Sequence, residues 1–217
     1  MVVVTVRPSP PAGLLLDAMG TLIGLKDSVG TTYAALAQRH GLTVEPAAID
    51  QVFPSIYGQA PPLAFPGLEG PALKGAEITW WGERINETLL QAGAGPAPEG
   101  LRMELFERFA CTDLWRVFAE VPCQLEAWKA RGLKLAVVSN FDQRLHDLLE
   151  GLGLNRWLDA VVISSQAGAA KPNPKPLLLA LQALELGAHQ VWHVGDSAAD
   201  EQAAQAAGIH CVLVKRP

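Results

Sequence analysis

Apolar positions along the chain follow three rhythms. The first is a short continuous run, Gly13-Leu14-Leu15-Leu16, that ends in a lone carboxylate, Asp17, and then the small-residue stretch Ala18-Met19-Gly20-Thr21. A run of that length predicts a buried strand emptying into a turn. From Ser28 to about Glu120 the spacing becomes helical and is interrupted by segments rich in Pro and Gly, with no strand alternation. Val29, Tyr33, Leu36 and Ala37 predict a helix that stops at Gly41, and Pro46, Ile49, Val52 and Phe53 a second that Pro54 bends or ends. Residues 60–67 predict a loop, and further helices are expected over Ile78–Ala92 and Leu101–Phe109.

From Cys123 helix and strand alternate. Helices are expected at Leu125–Arg131, closed by Gly132, and at Gln143–Leu152, Pro174–Leu186 and Asp200–Ala207. Strands are expected at Leu133–Ser139, Ala160–Ser164, Val191–Val194 and Cys211–Val214. Together with Leu14–Asp17 these predict an α/β fold, a Rossmann-like three-layer core around a five-stranded parallel sheet. The helical block is an insertion after the first strand. Residues 1–26 and 119–217 form the expected core, and residues 27–118 an all-helical cap over the carboxyl ends of the strands.

Composition narrows the function classes. The 217 residues are 49% hydrophobic, enough for a full core, and the net charge of −5 with scattered Lys and Arg offers no face to a nucleic acid. Met1–Arg7 lacks a signal-peptide pattern and is too short to span a bilayer, so no membrane association is expected. Residues 1–12 fit an edge strand or a flexible arm. Cys111, Cys123 and Cys211 form no C-x-x-C pair and predict buried thiols in a reducing compartment, with the cytoplasm as the expected location.

Four predicted strand ends carry groups that suit one anionic ligand. Asp17 ends the first strand, Ser139-Asn140 another, and Gly195-Asp196 a third, with Asp200 four positions on. Lys171 precedes Pro172 in the loop before a helix. Each has an ordinary reading: Asp17 as a turn residue, Ser139, Asn140 and Asp142 as helix caps, Lys171 as a solvated lysine, and Ser197 with Asp200 as a capping box. His193 reads as a satisfied core side chain. Yet parallel neighbouring strands would bring Asp17 and Asp196 together where one hard cation could bind both.

The order Asp-x-x-Gly-Thr, Ser-Asn, Lys-Pro, Gly-Asp-x-x-x-Asp resembles the haloacid dehalogenase-like hydrolase superfamily, in the form with a helical cap inserted after the first motif. Ser139-Asn140-Phe141-Asp142 with Trp80-Trp81 is similar to one sub-branch. The resemblance implies that Asp17 is the nucleophile, that Ser139 and Asn140 bind a phosphoryl group, and that Lys171 balances its charge. It also implies Mg²⁺ held by Asp17, the Met19 backbone carbonyl and Asp196, with Asp200 supporting that shell. The substrate would be a small phosphorylated molecule, and the protein a monomer or homodimer.

One role in that set is missing. Phosphatases of this type carry a second Asp two residues after the nucleophile as general acid and base, and here that residue is Met19. Positioned acid–base catalysis is worth about 10²–10⁴ in rate. The first expectation is a phosphatase that is slow, recruits another donor such as Lys26, Asp27 or His146, or prefers a good leaving group such as an acyl phosphate. The second is a 2-haloacid dehalogenase-like hydrolase, whose halide needs no proton. The third is a catalytically weakened phospho-ligand-binding or regulatory protein. Phosphonate cleavage would need a cap lysine, for which only Lys26 and Lys74 are near. Tyr33, Phe65, Trp80 and Trp81 are candidates for the substrate wall.

Overall fold

Continuous apolar runs become central strands because both of their faces are covered. The computed structural model describes residues 10–216. Its first strand, β1 (Gly13–Leu16), is buried at every position, and a turn leads into β2 (Ile23–Leu25). Four helices follow: α1 (Val29–Arg39), α2 (Pro46–Gln59), α3 (Gly70–Gln91) and α4 (Glu99–Arg108). A short 3-10 turn then enters β3 (Trp115–Val117).

The rest alternates. It comprises α5 (Val121–Ala130), β4 (Lys134–Ser139), α6 (Arg144–Gly151), β5 (Ala160–Ile163), the single turn α7 (Ser164–Ala167), α8 (Lys175–Leu184), β6 (Val191–Gly195), α9 (Ala198–Ala206) and β7 (His210–Leu213). The five predicted core strands form one parallel sheet in the order β5-β4-β1-β6-β7. Alternation through the pleat divides the core between two faces. Leu14, Leu16, Leu135 and Val137 join one apolar cluster, while Leu15, Ala136 and Val138 join the other with Leu177 and Leu181 of α8.

The helical insertion has an apolar centre of its own, built from Tyr33, Leu36, Ile49, Ile85, Leu89, Leu101 and Leu105. The chain passes between core and insertion along an antiparallel ribbon in which Ile23–Leu25 pairs with Trp115–Val117. That ribbon corrects the expectation of no strand between Ser28 and Glu120. Three residues are too few for an alternation to be read, and Trp-Arg-Val gives a single buried-exposed step.

Two helix limits also differ. The second helix runs on to Gln59 with Pro54 inside it, since α2 packs against α1 and α3 and that packing outweighs one lost backbone bond. The third begins at Gly70, a turn and more before Ile78. Cys111 and Cys123 are exposed and Cys211 is half-buried, which corrects the expectation of buried thiols. Of the amino-terminal arm or strand, residues 1–9 lie outside the described residues. No helix among the described residues is long and apolar enough to cross a membrane.

Candidate active site at the carboxyl ends of the strands

Strand order assembles the site. The central strand β1 lies between β4 and β6 with Leu16 level with Val137 on one side and Val194 on the other. The residues that follow, Asp17, Ser139 and Asp196, therefore leave the sheet at the same edge, where ligand sites of open parallel sheets form. The turn after β1 is pinned by bonds from the backbone N–H groups of Leu22 and Ile23 to the Ala18 carbonyl. Gly20 is required there: its φ is +80°, and a Cβ would lie 2.1 Å from Asp196 Oδ2. Gly195 is as constrained, because a Cβ would lie 2.3 Å from the Asp200 side chain.

Lys171 is the hub of the cluster. Its ammonium is buried and donates to Asp17 Oδ1 at 2.7 Å, to Asp200 Oδ1 at 2.5 Å and to the Val138 carbonyl at 2.9 Å. Burial opposes its charge, but Asp17 and Asp200 outweigh burial and hold the Lys171 pKa above its ordinary value. Ser139 Oγ donates to the same Asp17 oxygen at 3.1 Å, which leaves Asp17 Oδ2 as the freer atom.

Asp200 serves as a pillar. Its Oδ1 takes Lys171 and His193 Nε2 (2.9 Å), and its Oδ2 takes the Ser197 hydroxyl (2.5 Å) and backbone N–H. Burial raises its pKa, but the bonds from His193, Lys171 and Ser197 hold it well below the usual carboxylate range. The capping-box reading of Asp200 is therefore correct, and it is also one half of its role. His193 is the satisfied core side chain expected: it lies between two acceptors, the Leu15 carbonyl at 3.0 Å and Asp200.

Asp196 differs from both. Its side chain reaches solvent, but partial desolvation at the sheet edge, followed by the nearby charges of Asp17 and Asp200, raises its pKa. Acceptor atoms of Asp17, Asp196 and Asp200 lie within 4.8 Å of one another. Because both Asp200 oxygens are engaged, a cation at this cluster would draw on Asp17, Asp196 and backbone oxygens. Crowded carboxylates of this type suit a hard divalent cation.

Asn140 departs from its expected place. Its side-chain amide is spent on the Lys171 backbone, donating to the carbonyl and accepting from the N–H, both at 2.8 Å. It thus fixes the loop that carries Lys171, and its backbone N–H is what it can offer a ligand. Of the substitutes considered for the missing acid, Lys26 and Asp27 are exposed and His146 turns to Gln166 Oε1 at 3.2 Å.

The insertion closes over this edge through a polar bridge. Trp81 Nε1 donates to Asp142 Oδ2 at 2.6 Å, and Glu77 accepts from the Gln143 backbone and side chain at 3.2 and 3.0 Å. Asp142 is fully buried and pairs with Arg144 at 2.6 and 2.7 Å. The remaining Arg144 donor reaches the Phe106 carbonyl, and its guanidinium lies 4.0 Å from the Phe106 ring centroid and 5.1 Å from that of Trp81. Sequence reading missed Arg144, whose place on a helix beside an Asp looks like a surface position.

Between bridge and sheet edge lies a cavity of about 390 Å³. Met19, two residues after Asp17, and Asn140, next to Ser139, form part of its wall, and the rest includes Tyr33, Phe53, Tyr57, Trp81 and Phe109. Two of the four expected wall aromatics, Tyr33 and Trp81, therefore line it. Trp80 is buried instead, donating to the Pro61 carbonyl at 3.0 Å, and Phe65 lies outside. Tyr57 was not foreseen. Burial, and then the charges of Asp17 and Asp142, raise its phenol pKa, although its ring borders the open cavity and is 39% exposed.

Known proteins agree with this construction. A family model described as haloacid dehalogenase-like hydrolase matches residues 12–208. The chain is 38% identical over 209 residues to haloacid dehalogenase-like hydrolase domain-containing protein 3 of Bos taurus, covering 94% of this chain and 82% of that one. It is 36% identical over 135 residues to a plasmid-encoded phosphoglycolate phosphatase of Cupriavidus necator, covering 61% and 58%. The structure of L-2-haloacid dehalogenase from Xanthobacter autotrophicus matches with a TM-score of 0.71 at 22% identity, over 95% of this chain and 78% of that one. At that identity the last match concerns the fold alone. The chain belongs to the haloacid dehalogenase-like hydrolases.

Proposed function

We propose that the protein is a Mg²⁺-dependent phosphatase of small phosphorylated molecules, acting through an aspartyl phosphate on Asp17. The observation that carries this reading is the charge pattern around Asp17. A buried ammonium and a hydroxyl already bond one of its oxygens, and a second, crowded carboxylate stands beside it. An incoming phosphoryl group needs that pattern, with positive charge and donors in place before its own negative charge arrives.

In this reading the Asp17 carboxylate attacks phosphorus in line, the bond to the leaving-group oxygen breaks, and water then cleaves the acyl phosphate and regenerates Asp17. Ser139 Oγ and the Asn140 backbone N–H bind the phosphoryl oxygens, and Lys171 Nζ, held by Asp17, Asp200 and the Val138 carbonyl, balances their charge. Asp200 and His193 hold Lys171 in place, and Asn140 fixes its loop. Asp17, Asp196 and the Met19 carbonyl would hold a Mg²⁺, which when bound would neutralise negative charge at the site. Residues 27–118 act as the cap that excludes water, residues 1–26 and 119–217 as the core, and the cytoplasm as the compartment.

Met19 sets the substrate's leaving group. A thioether cannot donate a proton, so substrates whose leaving group departs as a stable anion are favoured: acyl and aryl phosphates over alkyl phosphates. The similar phosphatase of Cupriavidus necator supports the reaction class. The Asp196 carboxylate at the cluster favours a metal-assisted phosphoryl transfer over halide displacement.

The test is turnover of an acyl and aryl phosphate panel with Mg²⁺ by the protein and by Asp17→Asn. Loss of turnover in the variant supports the reading. Equal inactivity of both forms would sink it, and a rise in melting temperature with inorganic phosphate would then favour a binding protein.

A further inference from the structure

The cavity beside Met19 has a wall made almost wholly of hydrocarbon. Leu25, Val29, Tyr33, Phe53, Trp81 and Phe109 represent five different elements and loops, and all present rings or alkyl groups to it. The one charged side chain in that wall, Arg144, is paired in charge by the buried Asp142 and donates three of its five N–H groups to Asp142 and the Phe106 carbonyl. A carboxylated or many-hydroxyl leaving group would thus lose its water to a wall whose few polar atoms, the Tyr33 and Tyr57 hydroxyls and the Arg144 edge, are too sparse to replace it, which is unfavourable. An apolar one would lose no hydrogen bond and would release water from both surfaces.

Position ties the cavity to the chemistry. Met19 lies two residues after Asp17, is 41% exposed, and forms part of the wall, so the position where related phosphatases place their proton carrier is here an apolar contact. We infer that the cavity is the leaving-group pocket, and that the substrates are phosphate monoesters or acyl phosphates of an apolar, ring-sized group. The inference rests on the phosphatase reading for its reaction but on the cavity for its specificity, and binding and turnover separate the two.

Binding is measured by tryptophan fluorescence, with Mg²⁺ present and three phosphonates that cannot be hydrolysed at the phosphorus–carbon bond. Benzylphosphonate carries a ring, methylphosphonate almost nothing, and phosphonoacetate a carboxylate. Burial of the ring predicts binding of benzylphosphonate about tenfold or more tighter than methylphosphonate, with phosphonoacetate no tighter than methylphosphonate. Val29→Phe, which fills the cavity from the half-buried start of α1, should bring the benzyl-to-methyl ratio toward one; a melting curve checks its fold. Equal affinities in the unmodified protein, or binding of none, would overturn the inference.

Turnover of benzoyl phosphate against acetyl phosphate forms the second arm, since their leaving groups have similar acidity and differ mainly in apolar size. A matching preference in kcat/KM supports the whole scheme. Hydrolysis of neither, with the benzylphosphonate preference retained, would overturn the phosphatase reading and leave the pocket assignment standing.

Discussion

Two regions meet at Met19 and are built on opposite principles. On the sheet side, five ionisable side chains, Asp17, Lys171, His193, Asp196 and Asp200, crowd the ends of β1 and β6 and the loop before α8, and hydrogen bonds tie Asp17, Lys171, His193 and Asp200 into one network. On the side of the helical insertion, a cavity is lined mostly by rings and alkyl groups, with its single cation neutralised. The paired members of the polar region, Asp17, Lys171, Asp200 and His193, tolerate no loss, because in a low-dielectric setting removal of one leaves another without its partner. The apolar region tolerates exchange of side chains of similar volume. In the proposed reaction, chemistry is fixed on one side of Met19, and selectivity is free to vary on the other.

The largest effect should come from breaking the polar side at its hub. Lys171→Met leaves Asp17 and Asp200 buried without their shared cation, so unfolding free energy in urea should fall by about 3–5 kcal/mol. Phosphate turnover should vanish in the same variant. A stability change below 1 kcal/mol would show that the cluster is solvated rather than mutually compensated. An apolar substitution of similar size in the cavity wall, such as Leu25→Met, should cost less than about 1.5 kcal/mol.

How much of each region the sequence reveals follows from the same contrast. Asp17, Ser139 and Asp196 stand out because each ends an apolar run, and a parallel sheet must then gather them at one edge. Lys171 is readable only by its order among them. The cavity is hidden because Val29, Tyr33, Phe53 and Phe109 sit at helical spacing like any core residue, and nothing in a period of 3.6 separates a filled core from a hollow one. Arg144 is hidden for a further reason: the Phe106 carbonyl that accepts from it lies on another element, 38 positions away. The ribbon of β2 and β3 escapes because its strands are three residues long.

Met19→Asp would carry polar character across the boundary. Met19 is exposed enough to accept a carboxylate without burying it, and the residue would stand where a leaving oxygen needs a proton. Alkyl phosphate turnover with Mg²⁺ should rise by about 10²-fold, the lower end of the usual gain from a positioned acid. The preference for apolar leaving groups should weaken, since part of the wall becomes charged. An unchanged alkyl rate would mean that the cap, rather than the missing acid, limits the reaction.

The bridge that holds cap to core offers a smaller perturbation. Trp81→Phe keeps the ring against Arg144 and the cavity but removes the donor to Asp142 Oδ2. A hydrogen bond to a buried charged acceptor predicts a loss of about 1.5–3 kcal/mol in unfolding free energy. Benzylphosphonate affinity should fall less than that loss suggests, because the apolar wall survives. A larger fall in affinity than in stability would mean that the bridge, and not the cavity, positions the ligand.

The smallest effect has the most telling sign. The raised pKa of Asp196 means that its charge is disfavoured in the folded protein, by burial first and by Asp17 and Asp200 next. Below its unfolded value of 3.8 both states hold the proton, and Asp196→Asn should match the unmodified protein. As pH rises through the folded pKa, the unmodified protein must take on a crowded charge, and the Asn variant becomes the more stable. The side chain is exposed and screened, so the gap at neutral pH without metal should be only about a few tenths of a kcal/mol. Mg²⁺ should reverse the order, raising the melting temperature of the unmodified protein and not of the variant. If Asp196→Asn instead destabilised the metal-free protein at neutral pH, the three carboxylates would not be in competition, and the contrast between a charge-strained edge and a relaxed apolar pocket would fail at its clearest point.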